Sequence, residues 1–381
     1  MNKISSLTSI TLVLGALLCA CTSTADNDQL KDNKSSSSNG AGGVGGGKNS
    51  SSANRPSMQA VETTVTPELD FQESQITRFY QDGDSTEDIT TLRYELASMV
   101  QGRATSITSF EIINFTPVDL SNVTVLLSIV AGPQGVHLAH LRKIPAHSTV
   151  EVEYPFLRTD DLYVDSKGKT VDLSEYNQTG IWKDDATFTF EDSNGVLQDL
   201  QAISASKWSV RVTDYNTDTE KVNLDWALDP TPREARLYSA FLINLAYLMA
   251  DERMKAAYIA EPLNTTVIGL FDEATKEKQY EKILAKWFLG VGVRREGIAH
   301  SGGKKFGISL ALLQGHLGEL DNEEPLHELG HRVGFDHKSN ITAPRKEKGF
   351  APAAQRVIAL IQKDGGFPIT LENYYHPEDL K

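Results

Sequence analysis

Eleven residues concentrate the chemistry this chain could do: His327-Glu328-Leu329-Gly330-His331-Arg332-Val333-Gly334-Phe335-Asp336-His337, the pattern H-E-x-x-H-x-x-G-x-x-H. Histidines four apart on a helix share one face, with Cβ atoms about 5–6 Å apart, so His327 and His331 can meet on one metal ion. Gly334 suits the left-handed turn that ends a helix, and that turn returns His337 as a third ligand. Three imidazole nitrogens leave a fourth position open, as in catalytic zinc; structural zinc is closed by four protein ligands, commonly including cysteine. The expected metal is therefore Zn2+. Glu328, beside the pair, is placed to take a proton from water and pass it on. By average residue usage, the full pattern would arise by chance in a chain this long with a probability on the order of 10⁻⁵.

The element that must carry this pattern is a helix. Asp321 or Asn322 can cap it, Glu323 and Glu324 complement its dipole, Pro325 fits its first turn, and Leu326, Leu329 and Val333 make its buried face. Upstream, Thr231, Pro232 and Glu234 form a capping box, followed by Leu237, Phe241, Leu245, Leu248 and Met249 at helical spacing. Strands are expected at Val222–Leu228 and Thr265–Phe271, a helix at Glu273–Leu289, and strand-like runs at Gly297–His300 and Phe306–Leu313. Residues 218–381 are thus expected to form an α/β or α+β domain.

Residues 59–217 read differently. Short β-prone runs such as Ser109–Phe115, Val123–Val130, Thr149–Tyr154, Thr187–Phe190 and Trp208–Val212, broken by turn residues, predict an antiparallel β-sandwich of immunoglobulin-like size. No catalytic constellation lies there. His137 and His140 follow the Gly132-Pro133-Gln134-Gly135 loop and lack a third ligand, so no metal is assigned to them.

The 381 residues carry 37 Lys+Arg against 51 Asp+Glu, a formal charge of -14. That balance argues against bulk nucleic acid as a partner. Past the N-terminus nothing approaches the roughly 20 apolar residues of a membrane span. Residues 1–20, with Lys3, the apolar run Ile10–Ala20 and the box Leu18-Cys19-Ala20-Cys21, resemble a bacterial lipoprotein signal peptide. The resemblance implies that Cys21 carries lipid as the new N-terminus. Thr22 in place of Asp points to the outer membrane, and plain secretion is the alternative. Residues 21–58 are Ser/Gly-rich and are expected to be a flexible tether. Of the two cysteines, Cys19 leaves with the signal, so no disulfide and no thiolate site is expected in the folded part.

The eleven-residue signature is similar to that of the metzincin clan of zinc metalloendopeptidases, and the element order over about 218–381 resembles its catalytic domain. Gly297–Gly303 resembles the edge strand on which adamalysin-like members lay substrate antiparallel. An exported bacterial metzincin with an immunoglobulin-like domain also resembles secreted mucin-cutting proteases. The resemblance implies an extracytoplasmic endopeptidase acting on protein or glycoprotein, with zinc on His327, His331 and His337 and Glu328 as general base. The clan places a Met-containing turn beneath the zinc, and here no methionine lies beyond Met254. Leu371–Pro377 is expected to fill that place, with Tyr374 or Tyr375 pointing at the metal. His300, near the substrate strand, is read as a surface histidine. The rival from another class is a lipid-anchored adhesion or binding lipoprotein whose zinc site is vestigial; the presence of Glu328 weighs against it, since a structural metal needs no base.

Overall fold

The computed structural model describes residues 64–192, 195–213, 226–227, 229–265, 268–295, 297–302, 305–318, 323–342 and 348–381. The signal, tether and Cys21, most of the expected strand Val222–Leu228, and the candidate caps Asp321 and Asn322 lie outside them. No helix among the described residues is long and apolar enough to cross a membrane.

The fold is mixed α/β, and the described residues form two four-stranded sheets, a five-stranded sheet and two short hairpins. The first sheet orders Glu68–Leu69, Val136–Ile144, Leu120–Ile129 and Ala186–Asp192, and is antiparallel except at its Glu68–Leu69 edge. The second orders Ile76–Arg78, Ser148–Glu153, Ser109–Asn114 and Val100–Ala104, all antiparallel. Period-two burial builds both: Leu120, Val123, Val125 and Leu127 turn inward with Leu138, Leu141, Phe110, Ile112 and Val150. Phe110 of the second sheet stacks on Phe188 of the first at 4.8 Å. Gly102 sits where an added Cβ would lie 2.6 Å from Phe188, so the close approach there requires glycine. His137 and His140 fall within the strand Val136–Ile144, not in a loop.

The five-stranded sheet orders Ala299–Gly302, Lys305–Ser309, Trp287–Arg294, Trp208–Val212 and Arg93–Glu95. Its three central strands are parallel and both edges antiparallel. Two strands from the β-rich half, Arg93–Glu95 and Trp208–Val212, therefore belong to the sheet that serves the signature helix. The expected division at residue 217 does not separate the sheets, and Ala60–Lys381 packs as one unit. The physical reason is burial: Trp208, Val210 and Val212 need a hydrophobic neighbour on the same face, and Leu289, Val291, Val293, Phe306 and Ile308 supply it.

Helix Pro232–Ala250 lies against that face. Both arms of its capping box form: Thr231 Oγ1 accepts from Glu234 N at 3.3 Å, and Glu234 Oε2 accepts from Thr231 N at 2.8 Å. It is buried nearly all round, and Tyr238 accepts the Ile308 amide at 2.7 Å on its hydroxyl. The expected helix to Leu289 stops at Leu284, and Trp287–Arg294 is instead the central strand. The expected strand Thr265–Phe271 is a small hairpin, Asn264–Thr265 with Gly269–Leu270. Phe306–Leu313 divides into strand Lys305–Ser309 and helix Leu310–Gly315, capped by Ser309.

Candidate metal centre

Helix Glu323–Arg332 carries the signature, with Glu323 and Glu324 in its first turn and Leu326 and Leu329 buried. Gly334 has φ +97°, the left-handed conformation that turns the chain after the helix. Arg332 pins this end to the sheet: it donates to the Phe288 carbonyl at 3.0 Å, and its guanidinium lies 5.2 Å from the Trp287 ring.

The turn delivers what the spacing predicted. The Nε2 atoms of His327, His331 and His337 stand 3.0, 3.2 and 3.2 Å apart, forming a metal-competent group among the described residues. A tetrahedral centre with Zn–N bonds of about 2.0–2.1 Å needs ligand atoms about 3.3 Å apart, so the donor set fits zinc. One tautomer is fixed by a partner. His331 Nδ1–H donates to the Phe335 carbonyl at 2.7 Å, leaving the Nε2 lone pair for a cation. His327 Nδ1 is buried near the Thr342 backbone; burial first, then the neighbouring imidazoles, lower the pKa of this ring against the opposing pull of Thr342.

Glu328 is 6% exposed. Burial pushes its carboxyl up to about 7, against the pull of the Ser301 backbone amide, which donates to it, and of Arg294; Glu324 adds to the rise. Ser301 belongs to Ala299–Gly302, the antiparallel strand that ends the five-stranded sheet and packs against the signature helix. The segment expected to be an edge strand is one, and it runs beside the general-base candidate. His300, on the same strand, turns its ring onto Trp226 at 5.8 Å.

The expectation for Tyr374 and Tyr375 is corrected. Tyr374 is buried and donates its hydroxyl to Asp379 Oδ2 at 2.8 Å, while Val118 bridges its backbone. Tyr375 packs its ring edge-on to His147 at 5.5 Å. Both belong to a buried polar cluster around Arg236, because their hydroxyls need partners and Asp379 and His147 provide them. The floor next to the histidines comes from Ser339–Thr342, just after the third one. An added Cβ on Gly330 would lie 2.7 Å from Thr342 Cγ2 and 3.1 Å from Ile341 Cγ2, so this segment runs against the helix at Gly330. Gly330 occupies a variable position of the pattern. Its need for the absence of a side chain was not readable from spacing.

Phe335 and the hairpin complete the surround. The Phe335 ring packs on Phe271 at 5.7 Å, and Asn264 and Asn340 clasp each other, Asn264 N donating to Asn340 Oδ1 at 2.7 Å. Compared with protein-family models, with curated proteins and with solved structures, the chain matches none.

Proposed function

We propose that the chain is a zinc-dependent endopeptidase of the metzincin kind, joined to an immunoglobulin-like β-sandwich and held outside the cytoplasm by lipid on Cys21, with protein or glycoprotein as substrate. The observation that carries this reading is the convergence of three histidine Nε2 atoms within 3.2 Å of one another, with the buried Glu328 carboxyl on the same helix. A purely structural site has no use for that carboxyl. The sheet order supports the same reading, since a mixed sheet ending in an antiparallel strand beside the signature helix gives an extended peptide an edge to pair with.

His327, His331 and His337 would hold the ion. When bound, zinc would supply Lewis-acid polarisation of the scissile carbonyl and of the attacking water. The chain's own residues do the rest. Glu328 takes the water proton and delivers it to the leaving nitrogen. The Ser301 amide holds the carboxylate in place, the Phe335 carbonyl holds the His331 ring, and strand Ala299–Gly302 aligns the substrate backbone.

Metal analysis together with cleavage of a peptide library by the purified chain tests this. One zinc per chain, lost on His331→Ala, with peptide hydrolysis in the wild type, is expected. Full zinc retention in His331→Ala, or no hydrolysis by the zinc-loaded chain, would sink the proposal.

A further inference from the structure

At one end of the β-rich half, three large apolar side chains face solvent: Trp182 is 73% exposed, Val130 60% and Ile107 41%. They come from three separate loops joined by main-chain hydrogen bonds. Ile181 N donates to Ile107 O at 2.9 Å, Val130 N to Asp185 O at 2.8 Å, and Asp185 N to Trp182 O at 3.0 Å. The patch is thus held by its backbone. Tryptophan seldom stands so exposed, and its apolar ring with a polar N–H suits a membrane–water interface. Exposed lysines stand at the same end. Lys183 follows Trp182, and Lys167 and Lys169 lie in the turn whose Ser166 N donates to Gly135 O at 2.9 Å. Asp165 and Asp172 of the same hairpin, with Glu175, Asp184 and Asp185, outnumber these lysines, which suits a zwitterionic surface and not an anionic one.

The first described residue lies at this end too. Thr64 bridges Leu162, three residues before Asp165, and Asp165 bridges Val136 at the base of the Val130–Gly135 turn. Cys21 lies 43 positions before Thr64. A lipid there would keep this end near the bilayer at an effective concentration on the order of 1 mM, so a weak contact suffices.

We infer that this pole rests on a lipid bilayer, with Trp182, Val130 and Ile107 in the interfacial layer. The inference rests on the lipid-anchor part of the proposed function and is independent of the zinc chemistry. Its consequence is orientation: the molecule would sit end-on at the membrane.

The test uses the lipid-bearing full chain in phosphatidylcholine–phosphatidylethanolamine vesicles containing doxyl-labelled lipid. Lipid-borne quenching of tryptophan emission at least fivefold greater in the wild type than in Trp182→Phe is expected, with intermediate quenching in Val130→Asp. Equal quenching in wild type and Trp182→Phe, in a chain whose lipid is confirmed by mass spectrometry, would overturn this inference alone. Protection of Trp182 from acrylamide by a soluble glycan, without lipid quenching, would overturn it in favour of another partner. Absence of lipid on Cys21 removes the anchor reading and this inference together.

Discussion

Glu328 and Gly330 sit two positions apart on one helix and answer to different neighbours. In the proposed mechanism Glu328 is a base and not a ligand, so Glu328→Gln should keep zinc and stability while turnover falls by roughly 10²–10⁴-fold, the usual share of a general base. Metal content measured beside peptide hydrolysis checks this, and unchanged turnover would remove Glu328 from the mechanism. Gly330→Ala poses an opposing pair of effects. Alanine favours a helix over glycine by about 1 kcal/mol, but its methyl would meet Thr342 at 2.7 Å and Ile341 at 3.1 Å. Overpacking typically costs about 1–3 kcal/mol, so the clash wins. A lower urea midpoint with reduced zinc affinity is expected, because the displaced Thr342 backbone adjoins His327. A midpoint that rises would show that Ser339–Thr342 yields freely and is no floor.

Helix Leu310–Gly315 ends at His316, which is 3% exposed and packs edge-on against Phe241 of the long helix at 5.5 Å. Burial lowers its pKa from 6.5 to about 4. Between those values the unfolded chain binds a proton that the folded chain refuses, so stability falls as pH drops through this window, by roughly 2 kcal/mol from pH 7 to pH 5. His316→Gln should flatten that part of the profile in urea titrations at the two pH values. His147, buried and shifted in the same direction, leaves a residual slope. An unchanged profile in the variant would mean that His316 does not report on this packing. Elements whose signals are local were legible in the sequence: the Thr231 capping box, the turn at Gly334, the alternating runs Val123–Ile129 and Thr149–Val152. Partnership between elements was not. Nothing in Trp208–Val212 announces that it pairs with Trp287 rather than with the sandwich strands, since alternation specifies a face and not a neighbour. Trp287–Arg294 was hidden because an apolar run directly after an amphipathic helix continues either period. Tyr374 was misplaced because distance along the chain does not say where the chain goes.

Across the whole molecule, one buried charge gathers distant segments. Arg236 is 1% exposed and pairs with both Asp379 oxygens, Nε to Oδ2 at 2.7 Å and Nη2 to Oδ1 at 2.6 Å, while Nη1 donates to Tyr80 O at 2.6 Å and Asp82 Oδ1 at 2.9 Å. Arg233 and Gln314 also donate to the Asp379 and Lys381 carbonyls. Asp379→Ala removes the buried counter-ion and leaves Arg236 only the exposed Asp82 carboxylate, so a loss of up to about 3–5 kcal/mol is expected in denaturant unfolding. The double variant Arg236→Met, Asp379→Leu should recover much of that loss, and failure to recover would assign the cost to packing rather than charge. Tyr374, once expected at the metal, is here a strut for the same carboxylate. The arrangement also imposes an order in time. Folding at Arg236 therefore has to bring residues 143 positions apart together before this guanidinium holds its full set of partners. Closure is thus all-or-none across the molecule: the segments at Tyr80, Arg236 and Asp379 lock together or none of them does.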